Sequence, residues 1–162
     1  MLPRNHLSRR SALVLLSAAA FPAVTCAQSS DDLRIMIYKD PSCSCCGNWA
    51  NYMQSEGFTT IIRETNDIAG KKIRFGVPTN LASCHTAIIA GYVIEGHIPA
   101  AAVKRLLNER PNAIGLAVPG MPSGAPGMEV LGIAASNEVY DVILFGTVNR
   151  STYMRFRGYQ QL

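Results

Sequence analysis

The sequence predicts a single α/β domain, and three observations carry that expectation. Short strand-type runs alternate with helix-type runs from residue 33 onward. Three cysteines, Cys43, Cys45 and Cys46, sit where a first strand hands over to a first helix. A Pro/Gly-rich stretch then separates this unit from a last pair of strand-like runs.

The first strand is Leu33-Arg34-Ile35-Met36-Ile37-Tyr38, ended by Asp40-Pro41. From there Cys46, Trp49, Ala50 and Met53 recur at helical spacing, and Gly57 is placed to end that helix. Residues 58–63 read as a second strand. Asn66 reads as the cap of a short second helix carrying Ile68 and Phe75, which Gly76-Val77-Pro78-Thr79 stops. Residues 86–90 and 92–95 form a hairpin around Gly91, and Pro99 opens a third helix with Val103, Leu106 and Leu107 on one face before Pro111. This order matches a thioredoxin-like layout, with the cysteines at that fold's active-site position and residues 76–79 at the loop that carries its cis-proline. Between Pro119 and Met128 six of ten residues are Pro or Gly and two are Met, which predicts an ordered loop or a strap instead of a helix. Residues 139–147 read as a strong strand and 152–157 as its partner, an added C-terminal β-hairpin.

Ahead of this domain, Arg4, Arg9 and Arg10 precede an uncharged stretch over residues 11–24 and then Thr25-Cys26-Ala27. That is the pattern of an export signal over residues 1–27, leaving 28–162 as one domain. Ser8-Arg9-Arg10 also fits a twin-arginine signal, so the Sec and twin-arginine routes both stay open. Ala23-Val24-Thr25 is a poor lipobox, so Cys26 is expected to leave with the signal. The uncharged stretch is short for a bilayer span and no later run is longer and apolar, so no membrane insertion is expected after cleavage. Removing the three signal arginines leaves 12 basic against 11 acidic residues, and no basic run is interleaved with aromatics. Nucleic-acid binding therefore has no support.

The chemistry concentrates in sulfur. Cys43 and Cys46 have the spacing of a dithiol oxidoreductase, and a helix start favours thiolates. Cys45 lies between them, where a third thiol invites scrambling in a simple dithiol catalyst and supplies another soft ligand. With Cys84 the set suits Cu(I), Zn(II) or an iron–sulfur cluster, and spacing does not choose among them. Two structural disulfides are the plain alternative for four cysteines in an oxidising compartment. Crowding weighs against it, because Cys45 and Cys46 pair only as a strained vicinal ring. Four-cysteine zinc sites commonly use two spaced Cys-x-x-Cys pairs, and an iron–sulfur cluster assembled before export needs the twin-arginine route. His85 adjoins Cys84 and reads either as a ligand or as an ordinary hydrogen-bonded histidine. His97 is a weaker ligand candidate than His85 and reads also as a residue that caps or orients the third helix, so its ligation stays open. For Met121 and Met128, Cu(I) coordination and the plugging of an apolar surface stand side by side. Trp49 and Met53 read as core packing.

Five separated blocks carry a resemblance: Lys39-Asp40-Pro41-Ser42-Cys43-Ser44-Cys45-Cys46-Gly47-Asn48-Trp49; Gly76-Val77-Pro78; Ser83-Cys84-His85-Thr86-Ala87; Gly91-Tyr92-Val93-Ile94-Glu95-Gly96-His97-Ile98-Pro99; and residues 115–122 with Gly127-Met128-Glu129. In this order, from about Leu33 to about Tyr159, they resemble the CopG-type copper-resistance proteins of the bacterial periplasm, a family long labelled a domain of unknown function. The resemblance implies a thioredoxin-like domain that binds copper, with Cys43, Cys45, Cys46 and Cys84 as thiolate ligands and His85 as a candidate ligand. Met121 and Met128 match the methionine-bearing loop of that family, which often accompanies copper-efflux systems.

The leading expectation is therefore an exported, periplasmic copper-binding protein. It would hold several Cu(I) ions bridged by thiolates, and buffer copper or change its oxidation state. A thiol–disulfide oxidoreductase using Cys43 and Cys46, with Cys84 as an extra resolving thiol, is the competing class. A passive metallochaperone that passes copper to an efflux component is the third.

Overall fold

A computed structural model describes residues 33–128 and 138–162. The expected export signal, Cys26 included, lies outside the described residues. Eight strands form one mixed sheet: β1 (Arg34–Lys39), β2 (Thr59–Glu64), β3 (Thr86–Ile89), β4 (Tyr92–Glu95), β5 (Gly115–Ala117), β6 (Val139–Phe145), β7 (Arg150–Arg157) and β8 (Gln160–Gln161), in the order β2-β1-β3-β4-β5-β6-β7-β8. Among the described residues three α-helices accompany it, α1 (Ser44–Ser55), α2 (Ile68–Arg74) and α3 (Ala100–Glu109), with a 3-10 turn at Thr79–Leu81.

Two neighbouring pairs are parallel, β1 with β2 and β4 with β5. Parallel neighbours need a crossover, and α1 and α3 supply it. Both crossover helices pack on one face, where Trp49, Ala50 and Met53 of α1 join Val103, Leu106 and Leu107 of α3 over Ile35, Ile37, Ala87, Ile89 and Ile94. The opposite pleat of the same strands turns Val93, Ala117 and Phe145 toward Val77 and Leu81. This two-sided burial is the period-2 alternation of a covered sheet. Trp49 is fully buried and donates its indole N–H to the Ile98 carbonyl at 2.9 Å, tying α1 to the segment that enters α3. Truncating it to alanine is expected to cost about 3–5 kcal/mol.

The hairpin and the three helices fall where the residue patterns put them. The hairpin turn carries positive φ at both Ala90 (47°) and Gly91 (86°), a two-residue connection that matches the twist of β3 and β4. Gly57, at φ 94°, follows the last turn of α1, as its position predicts.

Two local expectations are corrected. The cap of α2 is Asp67, not Asn66: the Asp67 carboxylate accepts the Gly70 N–H at 2.8 Å. No peptide bond among the described residues is cis, so the loop over residues 76–79, likened in sequence to the one that carries the cis-proline of the thioredoxin-like layout, holds Pro78 in the trans form. The pairing of residues 139–145 with 150–157 is antiparallel, as read, with a register shift between Val142 and Ile143. β5 is an element the residue pattern does not announce.

The register explains where the chemistry gathers. Tyr38 pairs with Thr86, Thr86 with Glu95, and Glu95 with Ala117. Four adjacent strands thus end or begin at one level. The cysteine loop after β1, the Ser83-Cys84-His85 segment before β3, the Gly96-His97 segment after β4 and the Pro/Gly-rich strap after β5 all leave the sheet at the same end.

Candidate metal centre

Cys43 occupies the N-cap of α1 with extended backbone (φ −77°, ψ 95°), so Cys45 and Cys46 lie in the first helical turn. No acidic residue stands in that turn, and anionic ligands meet the positive end of the helix. Cys43 and Cys46 are joined by a disulfide, while Cys45 and Cys84 are free thiols. One Cys43–Cys46 bond with two free thiols replaces the two-disulfide framework considered above.

The sulfurs of Cys43, Cys45, Cys46 and Cys84 all lie within 4.8 Å of one another. Cys43 Sγ and Cys45 Sγ are 3.5 Å apart. The strand register thus brings the distant Cys84 into the knuckle.

A second set overlaps this one: Cys84, His85 and His97 also offer ligand atoms within 4.8 Å of one another. Cys84 Sγ stands 3.0 Å from His97 Nε2 and 3.3 Å from His85 Nδ1. Both histidines are fully buried. His97 Nδ1 faces the Pro126 carbonyl at 2.7 Å, and a carbonyl only accepts, so Nδ1 carries the proton and Nε2 keeps its lone pair toward the sulfur. His85 Nε2 is buried without a hydrogen-bond partner among the described residues. Buried polar atoms are ordinarily satisfied, so this nitrogen is an exception, while the other ring nitrogen, Nδ1, is the one that faces the free Cys84 thiol and is placed to share a soft metal with it. The rings form a continuous wall, with Trp49 and His85 centroids 4.5 Å apart and His85 and His97 at 5.1 Å edge to face.

Burial, then the adjacent Cys45, pushes the Cys84 thiol up to about 12. Burial, then the nearby His97 and Lys72, holds His85 well below its ordinary 6.5. Both groups are therefore neutral at pH 7, and a bound cation would compensate the desolvation that a thiolate here otherwise suffers.

The strap lies over this site. Gly127, at φ 83°, passes so close to α1 that a Cβ would sit 2.5 Å from the Trp49 backbone nitrogen. Ser83 Oγ donates to the Gly120 carbonyl, and Gly120 N–H donates to the Ala82 carbonyl at 3.2 Å. Met121 is 55 % exposed, whereas Met128 is partly buried against the main core. His97, whose ligation the sequence reading left open beside a helix-orienting role, is brought within reach of Cys84. The signal was available: the hairpin register Thr86↔Glu95, carried outward two residues on each strand, sets Cys84 opposite His97.

Among the described residues, no helix is long and apolar enough to cross a membrane. A family described as a protein of unknown function, DUF411, matches residues 81–128, the stretch that holds Cys84, His85, His97 and the strap. No curated protein matches. Two solved structures do. One form of the copper resistance protein CopG is 37% identical with a TM-score of 0.71, covering 78% of this chain and 99% of its own length. A second form is also 37% identical with a TM-score of 0.70, covering 76% and 98%. The identity and near-complete coverage, with the cysteine knuckle and the Cys-His pair inside the matched region, make this chain a member of the CopG copper-resistance family.

Proposed function

We propose that this protein is an exported copper-binding protein of the periplasm that holds Cu(I) in a thiolate-rich site, with Cys43, Cys45, Cys46 and Cys84 as ligands and His85 as a nitrogen donor. The observation that carries the proposal is the convergence of four sulfurs within 4.8 Å, with two buried imidazoles beside Cys84. Thiolates so close can bridge neighbouring ions, which favours a multinuclear site over a single copper. Met121 and Met128, at the two ends of the strap, are proposed as outer thioether donors. The β2-β1-β3-β4 order with a parallel first pair supports the thioredoxin-like reading of the domain.

The disulfide gives this reading a redox component. Opening the Cys43–Cys46 bond takes two electrons and two protons and frees both sulfurs for metal. In reverse, the dithiol can pass one electron to each of two Cu(II) ions, yielding two Cu(I), two protons and the disulfide. Copper buffering and valence change thus share one set of residues. A copper-efflux component is the proposed recipient of the bound ion.

Anaerobic loading of the reduced protein tests the proposal. More than one tightly held copper per chain, with sulfur-to-copper charge-transfer absorption in the ultraviolet, is expected. Less than one copper per chain and no such band rejects it. In the Met121→Leu/Met128→Leu variant, which keeps apolar bulk, weaker copper retention is expected.

The disulfide also favours a second reading, a thiol–disulfide oxidoreductase using Cys43 and Cys46. Insulin reduction by metal-free protein, abolished in Cys43→Ser and unchanged in His85→Ala, would favour it.

A further inference from the structure

The Glu95 carboxylate is fully buried at the end of β4, an unusual place for a charge. Its two oxygens are divided between the two residues that flank the Cys84-His85 pair. Oε1 accepts the Ser83 backbone N–H at 2.6 Å, and Oε2 accepts the Thr86 hydroxyl at 2.7 Å. Lys72, reaching across from α2, completes the arrangement: its Nζ lies 2.5 Å from Glu95 Oε1 and 3.1 Å from Thr86 Oγ1. One carboxylate therefore grips the ligand segment on both sides, and the same residue leads directly into Gly96-His97. The Gly96 N–H donates to the His85 carbonyl at 3.0 Å, which continues the link between the two segments. Ser83 packs directly on Gly96, filling the place a Cβ there would take.

Such a pair is a poor device for stability alone. Taking Lys72 and Glu95 out of water is costly, and well-packed apolar residues of similar size often do as well or better. Its geometry fits a different purpose. Besides short strand pairing, the ligand segment before β3 is tied to the strap through Ala82 and the Ser83 hydroxyl, both on the N-terminal side of Cys84, and without Glu95 the Ser83 N–H and the Thr86 hydroxyl lose their acceptor.

We propose that Glu95, neutralised by Lys72, is a positioning residue that sets the Cys84-His85 pair against the cysteine knuckle and His97. This inference rests on the copper-site reading for its purpose, but its geometric content is independent of metal. Glu95 touches no ligand atom in the arrangement described; it acts through Ser83, Thr86 and the backbone of the ligand segment.

The test uses metal-free protein with the Cys43–Cys46 disulfide intact, where Cys45 and Cys84 are the free thiols among the described residues. Dibromobimane becomes strongly fluorescent when it bridges two neighbouring thiols, so the fraction of fully reacted protein that carries the Cys45–Cys84 crosslink in place of single adducts reports their juxtaposition without copper, whatever the rate at which either thiol ionises. Two double variants differ only in hydrogen bonding. Glu95→Gln/Lys72→Met removes both charges but keeps an amide that can accept from Ser83 and donate to the Thr86 oxygen. Glu95→Leu/Lys72→Met removes the grip as well. A crosslinked fraction within twofold of the native value for the Gln variant, and a loss of fivefold or more for a Leu variant that still unfolds cooperatively, is expected. A folded Leu variant that crosslinks to the native extent overturns the proposal. If the Leu variant does not fold, Thr86→Val, which removes one arm and keeps the charge pair, decides: a crosslinked fraction lowered more than twofold supports positioning, and an unchanged fraction overturns it. Copper loading of the same proteins separates the two readings, since failure of the native protein to bind copper rejects the copper site while leaving the crosslinking result to judge Glu95.

Discussion

Cys84 Sγ and His97 Nε2 face each other at 3.0 Å, across the open end of the β3–β4 hairpin. The contact joins a thiol that burial keeps protonated to an imidazole whose Nδ1–H is already committed to the Pro126 carbonyl at 2.7 Å. His97 is therefore preset to accept, first from the thiol and then in bonding to a metal that displaces its proton. His97→Ala is expected to weaken Cu(I) retention at least ~10-fold, as losses of ligand-orienting or ligand groups commonly do. Competition against a chromophoric Cu(I) chelator measures this, and an unchanged affinity would remove His97 from the site.

The thiol itself supplies a second expectation. With Cys84 pushed up to about 12, iodoacetamide should modify it slowly at pH 7 and faster only at strongly alkaline pH, whereas Cu(I) loading at pH 7 should release its proton into a weakly buffered solution. The sign for stability follows: the folded protein holds this proton more tightly than the unfolded chain, so stability is present below about pH 9 and falls as pH rises toward 12. Fast Cys84 alkylation at pH 7 in folded, metal-free protein would contradict the assignment.

His85 works in the other direction. Its folded-state pKa is depressed, so below about 6.5 the unfolded chain binds a proton that the folded chain refuses. Stability is present above 6.5 and lost as pH falls below it, by up to ~1.4 kcal/mol per pH unit for a single group. Melting temperatures of metal-free protein between pH 7 and 5 should show this slope, and His85→Gln should flatten it. Equal slopes in both proteins would place the acid sensitivity elsewhere.

Much of the fold was legible, because its signals are local. Trp49, Ala50 and Met53 repeat on one face of α1, Gly91 marks the hairpin, and Pro99 marks the entrance to α3. The missed parts depend on partners far along the chain. β5 is three apolar residues whose strand character comes from Val93, Ile94 and Glu95 on one side and residues 143–145 on the other. Asn66 and Asp67 are equally good caps by type, and only the backbone decides between them. In the site, the cysteine knuckle is written within four residues, while the meeting of His97 with Cys84 shows only once the hairpin register is extended beyond its Thr86–Glu95 pair, and the role of Glu95 only from its contacts with Ser83 and Thr86. The pairing of Cys43 with Cys46 is the one their C-x-x-C spacing permits, whereas the approach of Cys84 to the knuckle follows from three-dimensional placement.

That disulfide closes a loop with a sequence separation of only 3, so its contribution to stability through the unfolded chain is small, on the order of 2 kcal/mol. The core formed by α1, α3 and the sheet does not depend on it. Reduction by dithiothreitol is expected to lower the urea midpoint modestly while leaving a cooperative transition, which lets the site pass between disulfide and metal-binding forms without unfolding. Complete loss of cooperative unfolding on reduction would mean that the bond is structural and would count against a copper site built on all four sulfurs.

Gly127 offers a way to disturb the cover without touching a ligand. At φ 83° a side chain is strained by about 1–2 kcal/mol from the backbone alone, and its Cβ would also press within 2.5 Å of the Trp49 nitrogen. The strap must then lift from α1, carrying the neighbouring Pro126 carbonyl away from His97 Nδ1 and releasing the tautomer it fixes. Gly91→Ala is the matched control: φ there is 86°, no atom stands within 4 Å of the new methyl, and the turn lies at the far end of the hairpin. Both variants should lose stability through backbone strain, but only Gly127→Ala should also lose about tenfold in Cu(I) affinity. If the two lose copper affinity equally, or neither does, the strap is a covering loop with no hold on His97.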